Sequence, residues 1–259
     1  MTIIFTKKSQ IFLYSKSIAK FIKILYTISI AHFYFKQKGA VIMNIILPTQ
    51  NLRTNRLRIE NGILYLRYGQ SFQDIMYDLT YFMKGKNFCY YCKKKVPRNQ
   101  ITMDHFYPRC TGGPTIPQNL YPACKKCNTE KANMTYGQFL DYLKLTTEEQ
   151  KRRYRLRINS MKKGLNAIGM YEFPYSWITP VKVSEIHTQI DFANISETKF
   201  KKEKAYYKKH HNFKKPIILD RNLYSLDGFY VLFVAKACEV DYIPAIILEN
   251  VEIHTSNSK

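Results

Sequence analysis

Two Cys-x-x-Cys pairs constrain the fold of this 259-residue chain more than any other feature of its sequence. Cys89 and Cys92 form the first pair, Cys124 and Cys127 form the second, and 31 residues separate the pairs. Each pair can direct two thiolates at one ion, and four sulfur ligands close the tetrahedral shell of a structural Zn²⁺. Disulfide bonds and an iron–sulfur centre are the alternatives. The spacing favours zinc.

The charge of the chain favours a polyanionic partner. Its 41 Lys and Arg residues against 19 Asp and Glu give a formal net charge of +22, and the cations occur along the whole length. Nucleic-acid phosphates attract a protein with such an excess of cations, although an anionic membrane surface would also attract it. The two remaining cysteines, Cys110 and Cys238, have no close partner in sequence. We therefore expect a reducing, cytoplasmic compartment.

Residues 1–42 differ in composition from the rest of the chain. The first 59 residues contain no Asp or Glu and carry ten Lys or Arg. Within residues 1–42 the longest uncharged run, residues 24–35, has 12 residues, fewer than the roughly 20 needed to span a bilayer. We expect no stable membrane insertion. We interpret this segment as a basic apolar extension, and an over-extended start before Met43 is the simplest explanation of it.

Local patterns predict the elements that flank the cysteine pairs. Asn61-Gly62 lies between two alternating runs and predicts a hairpin, and Phe72 to Met83 has the periodicity of an amphipathic helix. Beyond the second pair, Tyr136 to Leu143 predicts another helix, and Thr147 with Gln150 predicts a capping box that opens a third. That third helix is strongly basic, which is typical either of a solvated face or of phosphate contacts.

Between the cysteine pairs, and directly after the last cysteine, lie polar residues that a zinc site alone does not require: Asp104, His105, Asn119 and Asn128. Phosphodiester hydrolysis needs a base that activates water and a cation that neutralises charge developing on the phosphate. An imidazole can be the base, and a carboxylate with an amide oxygen can hold one hard divalent ion. Adjacent side chains leave opposite faces of a strand, so we expect a turn or bulge to bring Asp104 and His105 to one site.

These residues resemble the HNH endonuclease family, the zinc-containing branch of the ββα-metal nucleases, over residues 86–140. The Asp-His, Gly-Gly, Asn-Leu and Cys-x-x-Cys-Asn elements occur in the order of the family. The resemblance implies that His105 is the general base and that Asp104 and Asn128 bind a catalytic Mg²⁺ or other divalent cation. It further implies that Asn119 orients the site by fixing the loop or the histidine. The third letter of the family is often His, and Asn128 keeps an oxygen ligand there.

An alternative interpretation of the same segment is a zinc-stabilised nucleic-acid-binding knuckle. In that case Asp104 and His105 only form hydrogen bonds within the fold, and the protein is a non-catalytic DNA-binding or regulatory factor. Two Asn residues and an Asp-His pair at the family spacing favour the nuclease. We expect Lys131, one turn further along the helix, either to contact phosphate or to be solvated.

Residues 181–249 resemble, more weakly, the ParB and sulfiredoxin-like nucleotide-binding fold. Strand-like runs occur at residues 181–186, 217–219 and 243–248, and Asp227-Gly228 precedes a predicted helix, whose N-terminus favours an anion. The Arg that is usual three residues after this Gly is Val231 here, which argues against phosphate binding and a nucleotide-dependent partition factor. We expect a DNA-gripping or partner-docking unit. The basic run at residues 201–215 fits nucleic-acid contact or a solvated face.

The sequence thus predicts an α+β protein in which a zinc-stabilised ββα-metal nuclease module precedes a small α/β, ParB-like domain. We divide it into a basic extension, a hairpin with a helix, the HNH nuclease domain, a basic helix with a linker, and the ParB-like domain: residues 1–42, 43–85, 86–145, 146–180 and 181–253. The predicted function is metal-dependent cleavage of nucleic acid, chiefly double-stranded DNA, by a bacterial or phage-encoded protein.

Overall fold

The computed structural model describes residues 42–67, 69–85 and 87–254. The strands are β1 (Ile42–Met43), β2 (Leu52–Arg53), β3 (Arg58–Glu60), β4 (Ile63–Arg67), β5 (Ile101–His105), β6 (Leu120–Cys124), β7 (Thr179–Lys182), β8 (Ile217–Asp220), β9 (Ser225–Asp227), β10 (Tyr242–Leu248) and β11 (Val251–His254). The helices are α1 (Phe72–Lys84), α2 (Lys125–Lys131), α3 (Tyr136–Leu143), α4 (Glu148–Ala167), α5 (Glu197–His210) and α6 (Phe229–Ala237). The basic extension predicted at residues 1–42 lies, except for its last residue, outside the described residues.

The larger sheet has β10 as its central strand. β8 pairs with one edge of β10 in parallel, and the other edge takes β7 antiparallel and β1 parallel. β8 and most of β10 are buried apolar runs, as expected of strands covered on both faces. The strands predicted at residues 217–219 and 243–248 are therefore confirmed. The run at 181–186 is a strand only as far as Lys182, because Val183–Glu185 turns away as a short 3-10 helix.

The smaller sheet has the strand order β11-β4-β3-β2. Asn61 and Gly62 have φ angles of 52° and 74°, and two successive positive φ angles are the requirement of the tight hairpin turn that joins β3 to β4. The predicted hairpin is confirmed. β11 pairs with β4 in parallel, from Val251 opposite Leu64 onward. The last strand of the described chain therefore lies beside its first hairpin.

One apolar core joins elements from the whole described chain. Leu64 of the hairpin, Met76 of α1, Leu120 of β6 and Ile246 of β10 are all fully buried within it. The described residues accordingly belong to one compact unit. The domain boundaries that we derived from the sequence remain proposals, because this single apolar core includes residues from several of the predicted domains.

The helix predictions agree with the structure. α1 begins after Ser71, whose hydroxyl caps it by accepting from the Asp74 N–H, and buries an apolar face that includes Met76. The capping box of Thr147 with Gln150 is present at the start of α4. Part of the basic face of α4 is exposed and paired with Glu149. None of the helices described is long and apolar enough to cross a membrane.

Candidate active site and metal centre

The four cysteines of the two pairs converge on one point. Their Sγ atoms all lie within 4.8 Å of one another, and the Sγ atoms of Cys92 and Cys124 are 4.0 Å apart. Tetrahedral zinc with Zn–S distances of about 2.3 Å places its sulfurs about 3.8 Å apart, so the donor set fits this ion. All six cysteines of the chain are free thiols. The geometry thus supports a metal-binding cluster in preference to disulfides.

Local backbone geometry forms each cysteine knuckle. Lys93 has φ 59° and donates its N–H to the Cys89 carbonyl, which closes the first turn. Cys124 caps α2, because its Sγ accepts from the Cys127 N–H. Burial raises the pKa of the Cys89 thiol, but backbone N–H groups aimed at the sulfur outweigh it and lower the pKa to about 7. A thiol with this pKa readily provides the thiolate that a metal binds.

The hairpin β5–β6 and helix α2 carry the predicted site residues. β5 pairs with β6 without interruption from Ile101 opposite Cys124 to His105 opposite Leu120, and α2 lies against both strands. The prediction of a turn or bulge at Asp104 and His105 is wrong, because the ladder continues through both residues. Their side chains therefore leave opposite faces of β5.

Asp104 lies on the face of β5 that α2 covers. Its Oδ2 is 2.9 Å from the Nζ of Lys131, with side-chain exposures of 6% and 0%, and it also accepts from the Tyr91 hydroxyl. Burial raises the pKa of Asp104 and lowers that of Lys131, and each charge opposes the shift of the other. Lys131 donates further to the His105 carbonyl at 2.7 Å. The donors around the carboxylate and the two acceptors around Nζ support an ion pair.

The expectations for Lys131 are both wrong, since its side chain is neither solvated nor free to contact phosphate. It is fully buried at the last position of α2. Asn128, three residues earlier and hence on the same side of the helix, donates from Nδ2 to the Thr102 hydroxyl at 2.9 Å. Thr102 and Asp104 share one face of β5. The fold therefore brings the two proposed ligands of the divalent ion, Asp104 and Asn128, to the same α2–β5 interface.

His105 lies on the other face of β5. The side chain is 7% exposed, its Nε2 is 3.0 Å from the Thr115 hydroxyl, and the ring of Tyr77 meets it edge-on at 6.4 Å. Burial, together with the nearby cations Arg109 and Lys131, lowers the pKa of His105 to about 3. The imidazole is consequently neutral at physiological pH, which is the form that can accept a proton.

Asn119 fixes the loop between the two strands. Its Oδ1 accepts from the Tyr107 N–H at 2.8 Å, and its Nδ2 donates to the carbonyls of Tyr107 and Pro114 at 3.0 and 2.8 Å. Gly113 lets the loop fold back, because a Cβ there would lie 2.0 Å from the Tyr107 carbonyl oxygen. Among the described contacts, the Asn119 side chain bonds to the loop and not to His105.

A cationic cavity adjoins the face that carries His105. Thr115, the partner of His105, lines a narrow cleft with Arg109, Lys215 and Asp227, and the last three also line a cavity of about 370 Å³. Lys215 and Asp227 are paired at 3.1 Å. Lys199, Tyr230 and the ion pair of Lys214 with Glu203 complete part of the wall, whose cations outnumber its carboxylates. We did not predict a role for Arg109 from the sequence. Its position four residues after His105 is the one sequence signal that points to the site.

The C-terminal region meets this cavity at the start of α6. Gly228 caps the helix with φ 89°, and a Cβ there would approach the Ile217 Cα to 3.1 Å. Val231, three residues later, is buried in the core that α6 forms with β8 and β10. The Val231 side chain thus contributes to apolar packing and carries no charge that could bind an anion.

Comparison with known proteins supports the sequence interpretation of the cysteine region. Residues 89–143 match the family model described as HNH endonuclease, which confirms the predicted resemblance. A search of curated proteins gave no match. Among solved structures, a Pnob8-like ParB-N domain is similar at 17% identity and a TM-score of 0.24, over 27% of this chain and 28% of that one. A match of this extent supports no conclusion about ligands or partners.

Proposed function

We propose that the protein is a metal-dependent HNH endonuclease that hydrolyses phosphodiester bonds in double-stranded DNA. The observation that carries the proposal is the match of residues 89–143 to the HNH endonuclease family. In the same segment the fold forms a β-hairpin followed by a helix, with four thiols converging at their junction. In this proposal the four cysteines hold a structural Zn²⁺.

Asp104 and Asn128 are the proposed ligands of a catalytic Mg²⁺ or similar divalent ion. A carboxylate and an amide oxygen are hard donors suited to such an ion. The ammonium of Lys131, 2.9 Å from Asp104, is a stand-in that supports the suitability of this position for a cation. When bound, the divalent ion would supply a Lewis acid that stabilises charge on the scissile phosphate.

His105 is the proposed general base. Its burial and the nearby cations keep the ring neutral, so one ring nitrogen can accept a proton from water. The Thr115 hydroxyl holds Nε2 and thereby sets the ring orientation. Asn119 positions the loop that supplies Thr115, through its three bonds to Tyr107 and Pro114. Water attack on phosphorus and release of the leaving oxygen then break the phosphodiester bond.

DNA binding would use the cationic cavity beside this site. Arg109 from the nuclease segment and Lys215 from the C-terminal region line the same cleft, and the chain carries a net charge of +22. Phosphates of a polyanion would be attracted to such a surface. We retain the ParB-like unit of residues 181–253 as a DNA-gripping part of this proposal.

A second candidate function is a non-catalytic, zinc-stabilised DNA-binding protein. The specific observation in its favour is that Asp104 and His105 are 5% and 7% exposed and are both bonded within the fold. Residues that only stabilise a knuckle would have this environment. A nuclease, by contrast, must expose them to its substrate during the reaction.

A supercoiled-plasmid assay separates the two. Zinc-loaded protein is incubated with plasmid and Mg²⁺ or Mn²⁺, beside His105→Ala and a reaction containing EDTA. The control variant is His187→Ala, because His187 is an exposed imidazole whose ring packs at a tilt against that of Tyr224. The nuclease proposal expects metal-dependent nicks or breaks that are retained in His187→Ala and lost in a folded, zinc-loaded His105→Ala. Plasmid binding without any cleavage would support the second candidate.

A further inference from the structure

The carboxylate of Asp104 already has a cation beside it. Lys131 Nζ is 2.9 Å from Oδ2, and Tyr91 donates to the same oxygen. The lysine is fully buried, so no water separates the two charges. A divalent ion that uses Asp104 would meet an ammonium in its own coordination space.

We propose that Lys131 is a resident counter-ion of the candidate metal site and leaves Asp104 when a divalent cation binds. The inference rests on the proposed role of Asp104 as a metal ligand. Two cations on one buried carboxylate repel each other strongly, because the interior screens charges far less than water does. Binding of the divalent ion is therefore coupled to release of the ammonium.

The structure gives Lys131 a connection to each proposed catalytic element. It donates to the His105 carbonyl at 2.7 Å, and it lies one helical turn from Asn128 on the same side of α2. Its departure from Asp104 would thus alter the packing at the end of β5. The buried ion pair and a metal-bound carboxylate are then the two states of one exchange.

The end of α2 is a suitable place for such a change. Lys131 is the last residue of the helix, and Ala132 follows with φ 46° and ψ −122°. Alanine rarely adopts this backbone conformation, so the helix end is strained. The Lys131 ammonium stands at the end of a flexible four-carbon stem, so rotation of the side chain can change its contacts.

Amine footprinting of the wild-type full chain tests this directly. Zinc-loaded protein is acetylated briefly with and without saturating Mg²⁺, and each lysine is quantified by mass spectrometry. We expect the reactivity of Lys131 to rise at least fivefold with Mg²⁺. Lys162 is the internal control, because it is also buried and paired with a carboxylate, that of Glu172, and its reactivity should stay constant. Continued protection of Lys131 at saturating Mg²⁺ would overturn the inference.

Metal affinity provides a second test. Mn²⁺ titration by calorimetry should show at least tenfold tighter binding to Lys131→Met than to wild type, since the competing charge is gone and the volume is kept. Lys131→Arg and the control Lys162→Met should stay within threefold of wild type. Equal or weaker Mn²⁺ binding by folded Lys131→Met would refute the exchange. If that variant does not fold, the wild-type footprint decides alone.

These readouts are independent of DNA cleavage. Release of Lys131 by Mg²⁺ in a protein that cuts no plasmid would uphold the exchange and refute the nuclease. Metal-dependent cleavage with Lys131 still protected would uphold the nuclease and refute the exchange.

Discussion

Asn119→Ala should be one of the most destabilising substitutions near the candidate site. The side chain is 0% exposed and forms three hydrogen bonds with the backbone of the loop, two to Tyr107 and one to Pro114. Alanine supplies none of these partners. One backbone N–H and two backbone carbonyl groups would then lose the partners that replace water in the native state.

The size of the effect follows from the burial of those backbone groups. A buried polar group left without a partner costs about 1–3 kcal/mol. Tyr107 is half-buried, so water can partly compensate its two groups, whereas Pro114 is buried. We therefore expect the free energy of unfolding to fall by about 3–5 kcal/mol, with about 1 kcal/mol from each of the two Tyr107 groups and about 1–3 kcal/mol from the Pro114 carbonyl.

Urea unfolding followed by tryptophan fluorescence measures this loss. Trp177 is the one tryptophan of the chain, and its ring meets that of Tyr107 edge-on at 6.2 Å, so its emission reports on the loop. Asn128→Ala is the matched control, because it removes a single half-buried bond to Thr102 and should cost about 1 kcal/mol. A loss for Asn119→Ala no larger than that of the control would refute the reasoning.

Two further predictions concern buried charges. Glu172→Ala should lower the free energy of unfolding by about 3–5 kcal/mol, because it leaves the Lys162 ammonium buried without its carboxylate. Glu149→Ala, at an exposed ion pair, is the control in the same urea titration. Similar losses of stability in the two variants would contradict the argument. Acidification from pH 6.5 to 5 should cost the wild type about 2 kcal/mol more than it costs His105→Gln. Burial and nearby cations hold the pKa of His105 in the native state at about 3, whereas its pKa in the unfolded chain is about 6.5. Between these two pH values the unfolded chain binds a proton that the native state does not bind, so the native state loses stability as the pH falls. Parallel pH profiles of the two proteins would exclude His105 as the source.

The four-cysteine cluster and the hairpin could be predicted because their signals are local. Each Cys-x-x-Cys pair forms its own turn, and Asn61-Gly62 fixes a tight turn whatever lies elsewhere. The same holds for the capping box of Thr147 with Gln150. The environment of Lys131 could not be predicted in this way. Its residue type favours solvent, and only the packing of α2 on β5 places it against Asp104.

The strand that carries Asp104 and His105 shows the limit of motif reasoning most clearly. The motif specifies which residues are present, but the pleat of β5 decides that they face different neighbours. Asp104 faces Lys131 and α2, whereas His105 faces Thr115 and the cleft that Arg109 and Lys215 line. Adjacent residues in sequence therefore belong to two environments.

That division ties the candidate site to the C-terminal region. β11 pairs with β4 in parallel, and the core contains residues from the β3–β4 hairpin, from β6 and from β10 together. No local sequence pattern predicts a parallel pairing between strands that lie so far apart in the sequence. Because Lys215 lines the cleft that leads to the partner of His105, the C-terminal region is part of the wall of the candidate site. A cleavage defect caused by changes there can thus arise from the site itself as well as from weaker DNA binding.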